Sequence, residues 1–305
     1  MSDGLAEISI CAFMGPETSP IQRAQEAGYF ADEGLKIHCE AAPGSIHQMI
    51  GLIDGDYNMA MTAVDNVIAY DENQGGATPE HPADLIVLLG CATDPRPLIA
   101  RPEISDFAGL GGARIAVDAV NTGFSFLLRQ WLEDQGLALE DYQLIPVGAV
   151  KARWDAVRSG DCAAGLLGKA DAATAVLEGY TWLQSDPDPW DNYQGGVFTA
   201  DRTWARQNRA ALQGFKRALL KAVDWVLAPE NADDLPDLLI RHLSHLSLSS
   251  TDAIQAAMEL QSPQSILKPG LPINQDGFRV VMELRQKYGT PPVTLGGVDK
   301  YLDLI

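Results

Sequence analysis

The stretch IDGDYNMAMTAVDNVIAY, residues 53–70, decides how the rest of the chain is read. Gly55 and Asp56 form a turn that closes a helix, and Tyr57 to Met61 is a short, mostly apolar run of strand type. Thr62 to Asn66 steps off the end of that strand, and Val67, Ile68, Ala69 and Tyr70 begin an apolar helical run. A strand that turns at once into a helix leaves backbone N–H groups pointing outward at its carboxyl end. In open α/β sheets, ligands bind in that crevice.

Similar units lie on both sides of this stretch. Glu7 to Phe13 predicts a first strand, and Thr18 or Ser19 caps a helix through Ala24 to Phe30. Residues 35–40 form a second strand. Gly44-Ser45 opens a helix that sets Ile46, Met49, Ile50 and Ile53 on one apolar face. Leu85 to Cys91 is a continuous apolar run suited to a strand covered on both faces. Beyond Pro95 the pattern begins again. It gives a strand at 114–120, a helix at 124–134 opened by Asn121-Thr122-Gly123, and a strand at 142–147. A helix at 150–159, a strand at 162–167 and an Ala-rich helix after Lys169 follow. This βαβαβ series predicts a second parallel lobe. Tyr193 to Ala200 reads as a strand returning to the first lobe, and the remainder as helices at 201–228, 233–245, 251–260 and 275–288.

The expected fold class is therefore α/β, with two lobes that each carry a mostly parallel sheet flanked by helices. Residues 1–93 plus 197–305 make lobe 1 and residues 94–196 make lobe 2, with chain crossings near 91–98 and 190–198. Domain interfaces favour ligands, and hinge closure is the expected motion.

Composition narrows the function. At 305 residues, 46% hydrophobic and 21% charged, the chain is an ordinary globular sequence. A net charge of −19 argues against nucleic acid and against an anionic membrane surface. It leaves an anionic ligand open, because a cleft can be locally positive. No apolar run approaches the ~20 residues that span a bilayer, so no membrane insertion is expected. The start MSDGLAEISIC has neither a basic n-region nor an apolar h-region. The compartment is periplasmic if a signal peptide has been removed, and otherwise cytoplasmic. Cysteines 11, 39, 91 and 162 lack metal-ligand spacing and read as free thiols; no metal or cofactor is expected.

Several segments carry a resemblance. Pro20, Ala24, Glu26-Ala27-Gly28-Tyr29-Phe30 and Glu33-Gly34-Leu35 resemble the opening of type II ABC-transporter substrate-binding proteins. The branch is the nitrate/sulfonate/taurine and thiamin-pyrimidine precursor-like group. Gly44-Ser45, Gly55-Asp56-Tyr57, Thr62 to Tyr70, Asp118 to Phe126, Tyr142 to Gly148 with Arg153, and Val298 to Leu302 continue it. The resemblance implies a periplasmic-binding-protein-like scaffold that captures a small solute and delivers it to an ABC permease. It says little about which solute, since such proteins share a scaffold and differ in pocket residues.

The candidate site residues follow. The resemblance places Gly15, Pro16 and Glu17 in a pocket-lining loop, with Glu17 a partner for a cationic ligand. Ser45 and His47 border the cleft on the same grounds. Thr62, Asp65 and Asn66 sit at the strand-to-helix step, where Asp65 also reads as a helix cap. Asn121, Thr122 and Gly123 open a helix after a buried strand and so offer N–H groups to an anion or a carbonyl. Lys169 follows a strand at a crevice position, and Tyr193 lies with Trp182, Trp190 and Gln194 near the second crossing, where an aromatic ring can stack on a ligand. Arg96, Arg101, Arg114, Arg129 and Arg153 are five candidates for a bidentate clamp that spacing cannot separate. The expected ligand is a small organic anion or a heteroaromatic ring.

Two functions compete. The first is a transport receptor without chemistry. The second is a cytoplasmic enzyme on the same scaffold, of decarboxylase, desulfinase or pyrimidine-synthase type, acting on a small aromatic or heteroaromatic acid with His47 as acid/base.

Overall fold

A computed structural model describes residues 5–91 and 95–302. The chain begins with β1 (Ala6–Ala12), α1 (Ser19–Glu26), α2 (Tyr29–Asp32), β2 (Leu35–Ala41), α3 (Ser45–Asp54), β3 (Met59–Ala63), α4 (Val64–Asp71) and β4 (Leu85–Gly90). Next come β5 (Leu98–Ala100), β6 (Arg114–Val117), α5 (Gly123–Asp134), β7 (Gln143–Pro146), α6 (Val150–Ser159), β8 (Ala164–Leu166), α7 (Lys169–Leu177) and β9 (Thr181–Leu183). The last elements are β10 (Gly196–Asp201), α8 (Arg202–Gln207), α9 (Arg209–Leu227), α10 (Leu235–His242), α11 (Ser250–Leu260) and α12 (Gln275–Tyr288).

The chain divides into two compact units. The first comprises Met1–Thr93, Gln194–Gln275 and Gly296–Ile305, and the second Asp94–Tyr193 and Asp276–Leu295. In the first unit the strand order is β2-β1-β3-β10-β4, with β10 antiparallel to both neighbours. In the second it is β7-β6-β8-β5-β9, with β5 antiparallel to both neighbours. Both sheets follow one plan: four strands run one way, and a reversed strand occupies the fourth place.

Each sheet buries what its alternation dictates. In the first unit Ile8 and Ile10 of β1 join the helical core of α1, α2 and α9, where the rings of Phe30 and Phe215 stack with centroids 5.5 Å apart. In the second, Ile115 and Val117 of β6 face one core with Leu128 and Leu132, while Ala116 faces another with Trp154 and Val157.

Four details differ from the sequence expectation. The helix expected through Phe30 breaks at Gly28, whose φ of +75° is a left-handed conformation that glycine adopts without strain. In α3, Ile46 is 50% exposed, and the buried face is Gln48, Met49, Gly51 and Leu52. β3 starts two residues later than read and continues through Ala63, so Thr62 belongs to the strand. Finally, α12 lies in the second unit, against the expectation that all of 197–305 belongs to the first. Its polar face explains this: Lys287 pairs with Glu133 at 2.8 Å, Tyr288 Oη donates to Glu133 at 2.6 Å, and Arg129 lies 4.2 Å from the Tyr288 ring centre. The chain then returns to the first unit, where Val87 N–H donates to Tyr301 O at 2.8 Å. The crossing expected near 91–98 lies partly outside the described residues.

Candidate functional site

Parallel strands put their carboxyl ends on one edge. In the first unit these are Ala12, Ala41, Ala63 and Gly90, joined by Gly196 at the start of the reversed β10. The loop after β1 folds into a tight turn over Pro16–Thr18. Gly15 N–H donates to Thr18 Oγ1 at 3.2 Å, and that hydroxyl lies 2.6 Å from Nε2 of His242. Burial holds the His242 imidazole down at about 4, so it is neutral near neutral pH. Glu17 curls back so closely that a Cβ on Gly15 would collide with its carboxylate.

Ser45 is half-buried at the first position of α3, and His47 is exposed two residues on. The His47 ring centre is 6.3 Å from that of Tyr57. The residue that holds this edge together is Gln48, which sequence reasoning passed over. It is 0% exposed, and its Nε2 donates to Cys11 O at 2.8 Å and Met61 O at 3.0 Å. One amide thus ties α3 to the ends of β1 and β3, while its Oε1 is buried without a hydrogen-bond partner. At the step itself, Thr62 and Asp65 are buried, and Asn66 Nδ2 donates to Thr62 Oγ1 at 2.9 Å. The cap of α4 is Ala63, with no side-chain bond, so Asp65 does not cap this helix.

In the second unit the corresponding ends are Val117, Pro146, Leu166 and Leu183, with Leu98 of the reversed β5 opposite Leu166 and Leu183. Thr122 caps α5: its Oγ1 accepts from Ser125 N–H at 3.4 Å and donates to Asp118 Oδ1 at 3.0 Å. Gly123 is buried in the first turn, and Asn121 is half-buried with its carbonyl 3.5 Å from Arg285 Nη2. Lys169 is exposed at the start of α7. Tyr193 is buried with Trp190, ring centres 5.3 Å apart, and Phe124 packs 5.6 Å from Trp190. Trp182 is exposed, and Gln194, the first residue of the segment that returns to the first unit, is spent on the backbone of Gly196 and Asn274.

The five arginines now separate. Arg101 is paired with Glu103 at 2.6 Å, Arg114 is exposed at the opposite end of β6, and Arg129 lies against Tyr288. Arg96 lies 5.6 Å from the centre of the Phe124 ring. Arg153, in the first turn of α6, is only 3% exposed, and its Nε and Nη1 are buried without a hydrogen-bond partner. Burial pushes its pKa down; Asp118 and Asp171 act to raise it and Arg96 to lower it. Trp190, 6% exposed, likewise has an Nε1–H without a hydrogen-bond partner. This edge therefore holds buried donors with nothing to donate to, beside aromatic rings. Among the described residues no group of three or more His, Cys, Asp or Glu is placed to hold a metal ion.

Two five-stranded units of this strand plan, each presenting helix starts along its carboxyl edge, define the type II periplasmic-binding-protein-like class. The chain belongs to the NMT1-like family, whose profile matches residues 8–240. No curated protein matches it by sequence. Among solved structures it is similar to the alkanesulfonate-binding protein SsuA from Xanthomonas axonopodis pv. citri bound to MOPS. The TM-score is 0.69 at 16% identity, covering 94% of each chain. The periplasmic nitrate-binding protein NrtA from Synechocystis PCC 6803 gives 0.66 at 14% identity, over 98% of this chain and 92% of that one. The desulfurization enzyme DSZB gives 0.64 at 16% identity, over 97% and 96%. At these identities the likeness is one of fold, and it spans receptors and an enzyme alike.

Proposed function

We propose that the protein is a solute-binding protein for a small organic anion and the substrate-binding component of an ABC transporter. The reading rests on Arg153, a buried cation at the carboxyl edge of the second unit with two donor nitrogens, Nε and Nη1, unsatisfied by protein. A buried donor without a partner is costly, and a charged one more so, so such a group is retained where a ligand completes it. Asp118 and Asp171 balance the charges of Arg96 and Arg153, which favours a monoanion over a multiply charged ligand. The rings of Phe124, Trp190 and Tyr193 favour a solute with a cyclic or otherwise apolar body. The sulfonate- and nitrate-binding proteins of the same fold, named for small anions, agree with this reading, and on it the working compartment is the periplasm.

The test is a melting-temperature panel of nitrate, alkanesulfonates, arylsulfonates and aromatic carboxylates against their neutral amides and against amines. A true ligand at a hundredfold excess over its Kd should stabilise by about 2.7 kcal/mol. Stabilisation by amines alone, or by none of the anions, would refute the reading.

A further inference from the structure

Away from the carboxyl edge, the first unit has a groove of about 400 Å³ between α10 and α11. Ile254 and Met258, at i and i+4 on α11, stand 50% and 64% exposed along one wall. Pro236 and Ile240 of α10 face them, and Asp233 and Asp237 line the α10 side. The helices do not need these residues to pack: Leu238 and Leu239 of α10 and Ala253 and Leu260 of α11 are already buried. An exposed isoleucine and methionine stacked in a groove are apolar surface that a partner would cover, and methionine adapts to varied partners.

Charge says what that partner is. Among the described residues neither Asp233 nor Asp237 makes an ion pair within 4.0 Å; Arg241, one turn along α10 from Asp237, feels that carboxylate but is held bidentately by Glu26 at 2.9 and 3.2 Å. Gln261, at the end of the groove, has its amide donor spent on Val226 O and Ala228 O. An acidic rim whose only cation is already paired, with Ser250 the one hydroxyl among the lining residues, is unsuited to an anionic solute. A second copy of a chain of net charge −19 would bring like charges together.

We propose that this groove docks a basic amphipathic helix of a partner protein. Apolar residues at i and i+3 or i+4 of that helix would sit against Ile254, Met258 and Ile240, and its Lys or Arg side chains would meet Asp233 and Asp237. The inference does not rest on the solute reading, since no residue of the anion site takes part.

The experiment uses fluorescence anisotropy with labelled amphipathic peptides of about 15 residues. One has a leucine stripe flanked by lysines, a second has glutamate for every lysine, and a third has serine for every leucine. The lysine–leucine peptide should bind, lose affinity as salt rises, and weaken at least about tenfold with Ile254→Ser/Met258→Ser and with Asp233→Asn/Asp237→Asn. The same variants should leave solute affinity and melting temperature unchanged. Three results would overturn the proposal: no binding of the lysine–leucine peptide, equal binding of the glutamate or serine peptide, or indifference to both double variants. Sedimentation revealing a dimer that Ile254→Ser/Met258→Ser dissolves would assign the groove to a second copy instead.

Discussion

Replacing Arg153 with methionine should move stability and binding in opposite directions. Nε and Nη1 of this residue are buried without a protein acceptor. Each such donor costs about 1–3 kcal/mol, so the pair costs roughly 2–6 kcal/mol. Methionine removes both donors and keeps most of the buried stem. What is lost is the attraction of the guanidinium to Asp118 and Asp171. Asp118 would still accept from the Thr122 and Ser125 hydroxyls at 3.0 and 3.4 Å, which limits that loss. The net expectation is a ligand-free protein unchanged or stabilised by up to about 3 kcal/mol, as when buried charge is exchanged for apolar volume. Urea unfolding followed by tryptophan fluorescence is the assay, with Trp131, Trp154 and Trp190 reporting on the same unit. Binding should behave otherwise. Two charge-assisted hydrogen bonds to an anion are worth about 1.5–3 kcal/mol each, so affinity measured by calorimetry should fall about 10²–10⁴-fold. A ligand-free variant destabilised by 3 kcal/mol or more, as expected on breaking a buried ion pair, would make Arg153 structural and refute the reasoning. Retention of affinity within about threefold would refute it equally.

Three further outcomes are expected. Gln48→Leu should destabilise the first unit by about 2–4 kcal/mol in urea unfolding, because it removes two buried donors from Cys11 O and Met61 O; a loss under about 0.5 kcal/mol would show that the amide does not brace the strand ends. His242 has its folded pKa near 4, below the ordinary 6.5, so it binds a proton in the unfolded chain first. Its contribution is present above pH 6.5 and lost as pH falls toward 4, about 3 kcal/mol in all; His242→Gln should show a correspondingly shallower acid dependence of melting temperature, and parallel curves would disprove it. His47→Gln should leave solute affinity within about twofold and yield no change in product, since the ring is exposed and only a ring contact with Tyr57 is seen among the described residues; His47-dependent turnover of the bound solute, read by mass spectrometry, would favour the enzyme reading.

How much was legible in the sequence depended on length and on periodicity. The strands β1, β2, β3 and β4 and the helices around them show in apolar runs punctuated by Gly28, Gly34, Gly44 and Gly55. The strands β5 and β9 do not show, because three residues carry no recognisable alternation. The placement of α12 was hidden for another reason. An amphipathic pattern tells which face of a helix is apolar and says nothing of which sheet that face will cover. Lys287 and Tyr288, which bind Glu133, look in sequence like ordinary solvated residues.

Two residues that matter most at the strand edges left a signal of one kind. In α6, Val150, Arg153, Trp154 and Val157 fall at i, i+3, i+4 and i+7, so the arginine occupies a place in the apolar stripe. In α3, Gln48 lies among Met49, Gly51 and Leu52 on the face that turned out buried, while Ile46, the more apolar residue, points to solvent. A polar side chain at a core position has a cost that its neighbours do not explain, and so marks a bond the local sequence cannot supply. For Gln48 that bond is to the strand carbonyls of its own unit. For Arg153 no protein acceptor takes Nε or Nη1. Two sheets of one plan thus carry edges of different character. The first spends Thr18, Gln48 and Asn66 on internal hydrogen bonds, and the second leaves the donors of Arg153 and Trp190 unspent. If the proposed function holds, selectivity for the solute lies with the second edge: substitutions there should then alter which anion binds, while those at the first should alter how firmly its loops are held.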